Sequence, residues 1–165
     1  MYYKNEKSMY PDVIKWFHKI LALKFPNSSI SVYNTSNVVL SKFLFDRRLH
    51  RFFPNYQTFE IEVDITGVAR SGDNAYIGFV ECKLNKISLR DVSQLLGYSK
   101  VAQPVFSLIL SPAGFSDSIN FLFNIHRRDD ILYYEKDKLI HIAKWVKSRQ
   151  DIDYASLLPK GSQLI

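Results

Sequence analysis

The stretch that decides the fold is EIEVDITGVARSGDNAYIGFVECK, residues 60–83. Runs rich in Ile, Val and Phe flank the central RSGDN, a pattern typical of two strands joined by a tight turn. Strands at 57–69 and 75–84 are therefore predicted to form a hairpin. The pair is unusually charged, because acidic residues occupy positions 60, 62 and 64 and the second strand ends on Glu81, Cys82 and Lys83.

The composition indicates a globular domain. The chain has 165 residues, of which 47% are hydrophobic, and only six Gly and six Pro. No apolar run approaches the ~20 residues of a membrane helix, and MYYKNEKSMYPD at the N-terminus lacks a signal-peptide pattern. Cys82 is the only cysteine, which excludes an intrachain disulfide and a zinc site built from cysteines. We expect a cytoplasmic protein that contacts no membrane.

Further elements are predicted around the hairpin from apolar spacing and from Ser, Pro and Gly signals. They are helices at 8–24, 36–52, 88–101 and 116–128, strands at 29–34, 104–111 and 130–135, and a strand or short helix at 138–146. Strands that alternate with helices indicate one α/β domain with a mixed central sheet flanked by helices. We assign residues 1–150 to this domain and 151–165 to a loose C-terminal tail.

The acidic residues of the first strand share one face. Because strand side chains alternate, Glu60, Glu62 and Asp64 point one way, and the apolar residues at 59, 61, 63 and 65 point the other. On the second strand, Glu81 and Lys83 share a face. Asp64 is placed nearer to the turn than Glu81. We therefore expect their carboxylates to meet only if one strand is shifted relative to the other, by a bulge or by sheet curvature. The register of the two strands stays open at this point.

Neighbouring carboxylates favour a bound cation, because they repel each other unless a positive charge lies between them. Mg²⁺ commonly takes one or two carboxylates together with waters and substrate phosphates. Such a metal polarises a phosphoryl oxygen and lowers the pKa of a bound water. A lysine on the same strand face would hold that water or stabilise charge in the transition state. The spacing therefore fits metal-assisted phosphodiester hydrolysis.

The arrangement Asp64, then Glu81-Cys82-Lys83 on the next strand, resembles the core motif of the PD-(D/E)XK nuclease superfamily. The two acids are 17 positions apart, and Val63 stands where the family motif has Pro. The resemblance covers about residues 6–146. It implies a restriction-endonuclease-like fold and is closest in appearance to small archaeal-type nucleases, including Holliday-junction resolvases.

The resemblance also implies roles for the core residues. Asp64, Glu81 and the backbone carbonyl of Cys82 would bind Mg²⁺ or Mn²⁺, and Lys83 would position or activate the attacking water.

Three residues outside the core motif lie where the family has further site residues. Glu6 would bind the metal directly or through water. Because Pro11 follows Glu6 closely, Glu6 could precede the regular helix, and Asp12 is a less favoured substitute for it. Gln94 and Tyr98, four apart on one helix face, would help to orient Lys83 or the phosphate.

The basic segment KFLFDRRLHRFF, residues 42–53, is the second functional candidate. The net charge of +6 favours a polyanionic partner, nucleic acid first. The segment is either the solvated face of an amphipathic helix or an element that contacts phosphates. In the second interpretation, the residues that contact nucleic acid are Lys42, Arg47, Arg48, Arg51, Tyr98 and Lys100.

These features predict a metal-dependent nuclease, with DNA as the preferred substrate, that acts in repair, in recombination or in a mobile element. No helix-turn-helix or zinc-finger pattern occurs, which favours a structure-specific or relaxed enzyme over a sequence-specific one. Junction resolution would in addition require a homodimer, because two strands are cut symmetrically. The alternatives are a nucleic-acid-binding module of the same fold without catalysis and an interaction subunit of a larger complex.

Overall fold

The computed structural model describes residues 2–165 and is built on a six-stranded mixed sheet with helices on both faces. Its helices and strands are, in chain order, α1 (Tyr10–Lys24), β1 (Ser29–Asn34), α2 (Leu40–Asp46), β2 (Ile65–Ser71), β3 (Asn74–Cys82), α3 (Leu89–Ala102), β4 (Phe106–Ser111), α4 (Asp117–Asn120), β5 (Tyr133–Glu135), β6 (Lys138–Leu139), β7 (His141–Val146) and β8 (Asp151–Leu158). The predicted mixed α/β domain is confirmed.

The main sheet has the strand order β1-β2-β3-β4-β7-β8, and β5 and β6 form a separate ribbon. Strand β3 runs parallel to β4, and β4 runs parallel to β7, whereas the outer pairs on each side are antiparallel. Strand β3 therefore lies inside the sheet, and its end is surrounded by the neighbouring elements.

The hairpin of β2 and β3 is regular. Its register runs without interruption from Ile65 opposite Val80 to Ser71 opposite Asn74. The turn has two residues, and its first, Gly72, has a φ of +56°, as the first central residue of a type II′ turn requires. The expected offset was wrong, because residues 64 and 81 are each seven positions from the ends of the strands at the turn and so lie opposite one another.

Two glycines let α1 pack closely onto this hairpin. Gly67 and Gly78 are directly paired across β2 and β3. A Cβ on Gly67 would lie 2.8 Å from Phe17, and one on Gly78 would lie 3.0 Å from the same ring. A side chain at position 67 would force its neighbours to move, and one at position 78 would press tightly on the ring of Phe17. The close approach brings the N-terminal end of α1, with Pro11 in its first turn, next to the start of β2.

The chain bends at Asp64, so the predicted strand at 57–69 is shorter than expected. Residues 59–63 form no strand, and the carbonyls of Phe59 and Ile61 instead accept hydrogen bonds from the first amides of α2, at Ser41 (3.1 Å) and Leu40 (2.7 Å). The exposure of Glu60 and Glu62 alternates with burial of their neighbours, as predicted.

The same bend sends neighbouring apolar residues to opposite faces of the sheet. Val63 packs in the core beneath α2 and α3, whereas Ile65 packs in the core beneath α1. The prediction that these two residues share a face was therefore wrong.

Other predicted elements also end early. The helix predicted at 36–52 is an α-helix only over Leu40–Asp46, because Arg48 has a left-handed φ of 57° and a separate 3-10 turn follows at His50–Phe52. The helix predicted at 116–128 is α-helical over Asp117–Asn120 and continues as a π-helical turn over Phe121–Ile125.

The structure settles the open assignment at 138–146 as strand and shortens the strand predicted at 130–135. Residues 138–146 form two strands, β6 and β7, and the strand predicted at 130–135 is reduced to β5 after a 3-10 turn at Asp129–Leu132.

The C-terminal segment is part of the sheet, so the prediction of a loose tail at 151–165 was wrong. Strand β8 pairs antiparallel with β7, and the carboxylate of Asp151 accepts a hydrogen bond of 2.7 Å from Trp16 Nε1. Ile152 and Leu158 are buried, and Leu164 is only 5% exposed. Strand β7 precedes β8 by only a short connection, and these side chains are buried in the cores on the two faces of the sheet.

Within residues 2–165, no helix is long and apolar enough to cross a lipid bilayer.

Candidate active site

Asp64 and Glu81 meet at one end of the β2–β3 hairpin. The backbone amide of Asp64 donates to Glu81 Oε2 over 3.3 Å, and the amide of Cys82 donates to Asp64 Oδ2 over 2.9 Å. Each acid is thus bound to the backbone of the opposite strand. The hydrogen bonds hold two carboxylates close together at a defined place, which repulsion between like charges would otherwise oppose.

Two further residues position Asp64. Tyr10, buried in the first turn of α1, donates its hydroxyl to Asp64 Oδ1 over 2.6 Å. Burial, and then the hydrogen bond to Asp64, raise the pKa of Tyr10, so the phenol remains a donor. Thr35 binds the bend itself, since its amide donates to the carbonyl of Asp64 over 2.9 Å and its hydroxyl donates to the carbonyl of Val63 over 2.7 Å.

Lys83 lies between acids on two elements. Its amide continues the sheet by donating to the carbonyl of Leu110 over 2.9 Å. Its Nζ lies 3.0 Å from Glu81 Oε1 and 3.9 Å from Asp91 Oδ1. Burial, the largest single influence, opposes the charged ammonium, but the carboxylates of Glu81, Glu6 and Asp64 together outweigh it, and the pKa of Lys83 is raised. Lys83 therefore stays charged and can donate hydrogen bonds to a ligand bound in this site.

Asp91 reaches Lys83 from the start of α3. Ser88 and Asp91 form a capping box, because the side chain of Ser88 accepts from the amide of Asp91 and the side chain of Asp91 accepts from the amide of Ser88. The cap fixes the carboxylate of Asp91 on the side of Lys83.

Glu81 is the acid of the group whose ionised form is most destabilised by its surroundings. It is only 9% exposed, and burial together with the nearby charge of Asp64 raises its pKa to about 7. Lys83 and the amide of Asp64 act in the opposite direction and only partly offset this rise. Near neutral pH the site therefore carries more negative charge than its single lysine neutralises.

Glu6 joins the site from outside α1. It opens a 3-10 turn at Glu6–Met9, ahead of the α-helix, and its Oε1 accepts from the amide of Leu84 over 3.4 Å. Leu84 directly follows Lys83, so Glu6 lies beside the same strand end. The substitute considered for it, Asp12, instead accepts hydrogen bonds from Tyr3 (2.8 Å) and Gln150 (3.0 Å).

The donor set fits Mg²⁺ or Mn²⁺. Across residues 2–165, no three His, Cys, Asp or Glu side chains are close enough to hold a metal ion on their own. Mg²⁺ needs fewer protein ligands, because it keeps several of its waters. All four carboxylate oxygens of Asp64 and Glu81 accept a hydrogen bond and retain a second lone pair. The surplus of negative charge is of the sign that a cation would neutralise.

Cys82 contributes only its backbone. Its side chain is fully buried in the core beneath α1, and burial raises the pKa of the thiol. The thiol is therefore a neutral core group, and binding of metal by the carbonyl of Cys82 stays a prediction.

Gln94 and Tyr98 do not reach Lys83. Gln94 Nε2 donates to the hydroxyl of Tyr98 over 3.1 Å on the outer side of α3. Tyr98 lines a separate groove with Lys42, Glu60 and Glu62. Within residues 2–165, neither Gln94 nor Tyr98 forms a hydrogen bond with Lys83, and the α3 residue that pairs with Lys83 is Asp91. A contact of Gln94 or Tyr98 with phosphate stays a prediction.

The basic residues predicted to contact nucleic acid are all outside the carboxylate cluster. Lys42 is exposed and pairs with Asp46 over 2.6 Å. The guanidinium of Arg47 lies 4.5 Å from the centre of the Tyr33 ring, and that of Arg51 lies 4.9 Å from the centre of the Phe52 ring. The remaining two, Arg48 and Lys100, are exposed. Their contact with nucleic acid stays a prediction.

Sequence reasoning missed three residues that shape the site, namely Tyr10, Thr35 and Asp91. A capping-box signal located Asp91 on the helix but did not indicate its neighbour across space. Tyr10 and Thr35 carry no motif, because each is 28 or more positions from its partners.

Comparison of this chain with known protein families, with characterised proteins and with solved structures finds no match in any of the three.

Proposed function

We propose that this protein is a metal-dependent nuclease of the PD-(D/E)XK type that hydrolyses phosphodiester bonds, with DNA as the preferred substrate. The observation that carries the proposal is the regular hairpin register, which sets Asp64 opposite Glu81 with Lys83 Nζ 3.0 Å from Glu81. Two buried or half-buried acids with only one neighbouring cation weaken the fold. A functional role explains why the protein carries them at this position.

Asp64, Glu81 and the Cys82 carbonyl would hold the metal, with Glu6 beside them. A bound Mg²⁺ or Mn²⁺ would supply Lewis-acid stabilisation of charge on the phosphoryl oxygens. The backbone amides that hold the two carboxylates keep their oxygens in place before substrate binds, which removes a reorganisation cost from the reaction.

Lys83 would either position the attacking water or stabilise the negative charge that develops on the phosphate. Its raised pKa makes it a hydrogen-bond donor that orients a water or stabilises negative charge on the phosphate. Glu81 and Asp91 hold the ammonium from two sides, so its position depends on both the hairpin and α3. Tyr10 fixes the orientation of the Asp64 carboxylate.

Nucleic acid is favoured as substrate by charge. The net charge of +6 supplies long-range attraction to a polyanion. This net charge already includes the acidic residues of the proposed catalytic cluster. Exposed arginines over aromatic rings provide donors that suit phosphate oxygens.

The decisive experiment is a cleavage assay on labelled duplex, junction, flap and single-stranded DNA, with Mg²⁺, with Mn²⁺ and with EDTA. We expect metal-dependent cleavage that Lys83→Ala lowers by about 10²-fold or more. The matched control is Lys138→Ala, which breaks a Lys–Glu pair of 2.7 Å on the β5–β6 ribbon and should leave cleavage unchanged.

Equal activity of the Lys83→Ala variant and the wild type would overturn the assignment of the site. Binding of DNA in EDTA with no cleavage of any substrate would instead support the alternative function, a nucleic-acid-binding module without catalysis. The preferred DNA among the four would define the class of structure on which the enzyme acts.

A further inference from the structure

A second polar pocket lies on the β1–β2 pair. It has a volume of about 300 Å³ and is lined by Ser29, Ser31 and Tyr33 of β1, Arg70 of β2 and Arg47, which follows α2. No Asp or Glu is among its lining residues. The pocket is therefore positive, in contrast to the carboxylate cluster at the start of β2.

The register explains why these groups converge. Ser29 is opposite Arg70, and Ser31 is opposite Val68. Since alternate residues of a strand share a face, the two serine hydroxyls, the Tyr33 ring and the Arg70 side chain all project from one face of the sheet. Arg47 approaches this face from the end of α2.

Aromatic rings, and not carboxylates, hold both arginines. The guanidinium of Arg47 lies 4.5 Å from the centre of the Tyr33 ring, and that of Arg70 lies 5.1 Å from the centre of the Phe52 ring. Among residues 2–165, neither arginine forms an ion pair with a carboxylate. A guanidinium that is stacked on a ring keeps its in-plane N–H donors free, so the full charge and the donors remain for a ligand.

We propose that this pocket binds one phosphate group of the nucleic acid, between the guanidinium groups of Arg47 and Arg70 and with the serine hydroxyls as further donors. A volume of about 300 Å³ is at the lower limit for ligand pockets and suits a single phosphate with its sugar. The inference rests on the proposed function, because it takes the ligand to be the substrate of the nuclease.

The pocket is a defined distance from the carboxylates. Arg70 is six residues from Asp64 along β2, which is about 20 Å of strand. The same length spans about six base-pair steps of a duplex. The phosphate held here would be either an internal phosphodiester or the terminal phosphate of a short end, and both present the same oxygen acceptors.

The test is DNA binding in EDTA, where cleavage plays no part, measured by fluorescence anisotropy of a labelled duplex over a series of salt concentrations. The variants are Arg47→Gln, Arg70→Gln and the double variant. Arg128→Gln is the control, because it removes the same charge from an exposed pair with Asp130. Duplexes with 5′-phosphate and with 5′-hydroxyl ends form two arms.

We expect each single variant to bind about tenfold more weakly, as the loss of charge-assisted hydrogen bonds implies. If one phosphate bridges both arginines, either arginine alone still neutralises it, so the slope of log K against log salt stays near the wild-type value in each single variant and falls by about 0.9 in the double variant. A loss confined to the 5′-phosphorylated duplex assigns a terminal phosphate, and an equal loss on both duplexes assigns an internal one.

Wild-type affinity in both single variants would overturn this inference, even if the protein cleaves DNA. Additive slope changes of about 0.9 per arginine would also overturn it, because they indicate two separate phosphate contacts. A wild-type protein that binds but whose cleavage does not depend on Lys83 would leave the pocket intact and remove only the proposed catalytic site.

Discussion

The two ends of strand β2 carry opposite charges, and the protein holds them in different ways. At the start of the strand, Asp64 is part-buried, and its two carboxylate oxygens accept from Tyr10 and from the amide of Cys82. At the other end, Arg70 is exposed and rests against the ring of Phe52. One charge is fixed by directed hydrogen bonds, and the other only by contact with an apolar surface.

The two ways of holding a charged side chain suit two different requirements, rigid positioning and accessible charge. Chemistry at a phosphorus atom needs groups held to within a fraction of an ångström before substrate arrives. Attraction of a flexible polyanion needs accessible charge, which tolerates some movement of the side chain. Fixing the carboxylates destabilises the fold, whereas presenting the arginines costs little. The predictions below test this contrast.

The largest effect is expected from Asp64→Asn. The change keeps the shape of the side chain but removes the charge that would bind metal, and cleavage should fall by about 10³-fold. The matched control is Asp73→Asn, in the exposed turn of the same hairpin, for which we expect a change of less than about twofold. Residual activity above a tenth of the wild type in Asp64→Asn would show that the charge is dispensable. Initial rates on the preferred DNA provide the measurement.

The next effect is on stability. The folded pKa of Glu81 is about 7, above its ordinary value of 4.5, so the folded state binds more protons than the unfolded state between these pH values. Stability from this group is complete below pH 4.5 and is lost as the pH rises through 7. Glu81→Gln should therefore raise the free energy of unfolding by about 1–3 kcal/mol at pH 8 in EDTA, and this gain should vanish near pH 4.5.

Urea unfolding at pH 8 and at pH 4.5 measures this gain. Glu62→Gln is the control, because Glu62 is exposed and its replacement should change stability by less than about 0.5 kcal/mol. A Glu81→Gln variant less stable than the wild type at pH 8 would mean that the bond to Lys83 outweighs the cost of burial.

A smaller effect is expected from Tyr10→Phe. It removes the hydrogen bond to Asp64, and we expect about a tenfold loss of cleavage, as for groups that orient a ligand of a metal. Tyr134→Phe is the control, because it removes a buried hydrogen bond of 2.7 Å to the carbonyl of Pro104. Both variants should lose about 1–2 kcal/mol of stability, but only Tyr10→Phe should lose activity. Equal activity of the two variants would rule out a positioning role for Tyr10.

The smallest effect is expected at the other end of β2. Arg70→Gln should change the free energy of unfolding by less than about 1 kcal/mol, because an exposed contact between a cation and a ring contributes little. Urea unfolding beside the wild type measures it. A loss of several kcal/mol would show that Arg70 holds the β1–β2 edge together and is not simply presented to a ligand.

Much of the site could be predicted from the sequence because its main parts are close along the chain. The hairpin, the alternating exposure of residues 59–64 and the Ser88–Asp91 cap all follow from local patterns and agree with the structure. The register could also have been obtained by counting equal distances from the two-residue turn, since a regular antiparallel pair allows no other partner for Asp64.

The remaining features depend on contacts between distant segments. The bend at Asp64 exists because Thr35 binds the backbone there, and the sequence of residues 57–69 alone reads as one continuous strand. The sequence does not show which face of α3 is turned towards Lys83, so it could not indicate that Asp91 lies beside this lysine. The C-terminal segment is a strand because β7 offers it an edge to pair with.

The sequence by itself determined the mixed α/β class, the hairpin and the identity of the two acids and the lysine, because periodicity and turn signals act over a few residues. Only the tertiary structure decided which groups hold these acids and where the positive pocket lies. Tyr10 and Asp91, which no sequence signal connected with the cluster, reach it from α1 and α3. The physical reason is packing: paired glycines let α1 approach the sheet, and that close contact sets distances which no local pattern encodes.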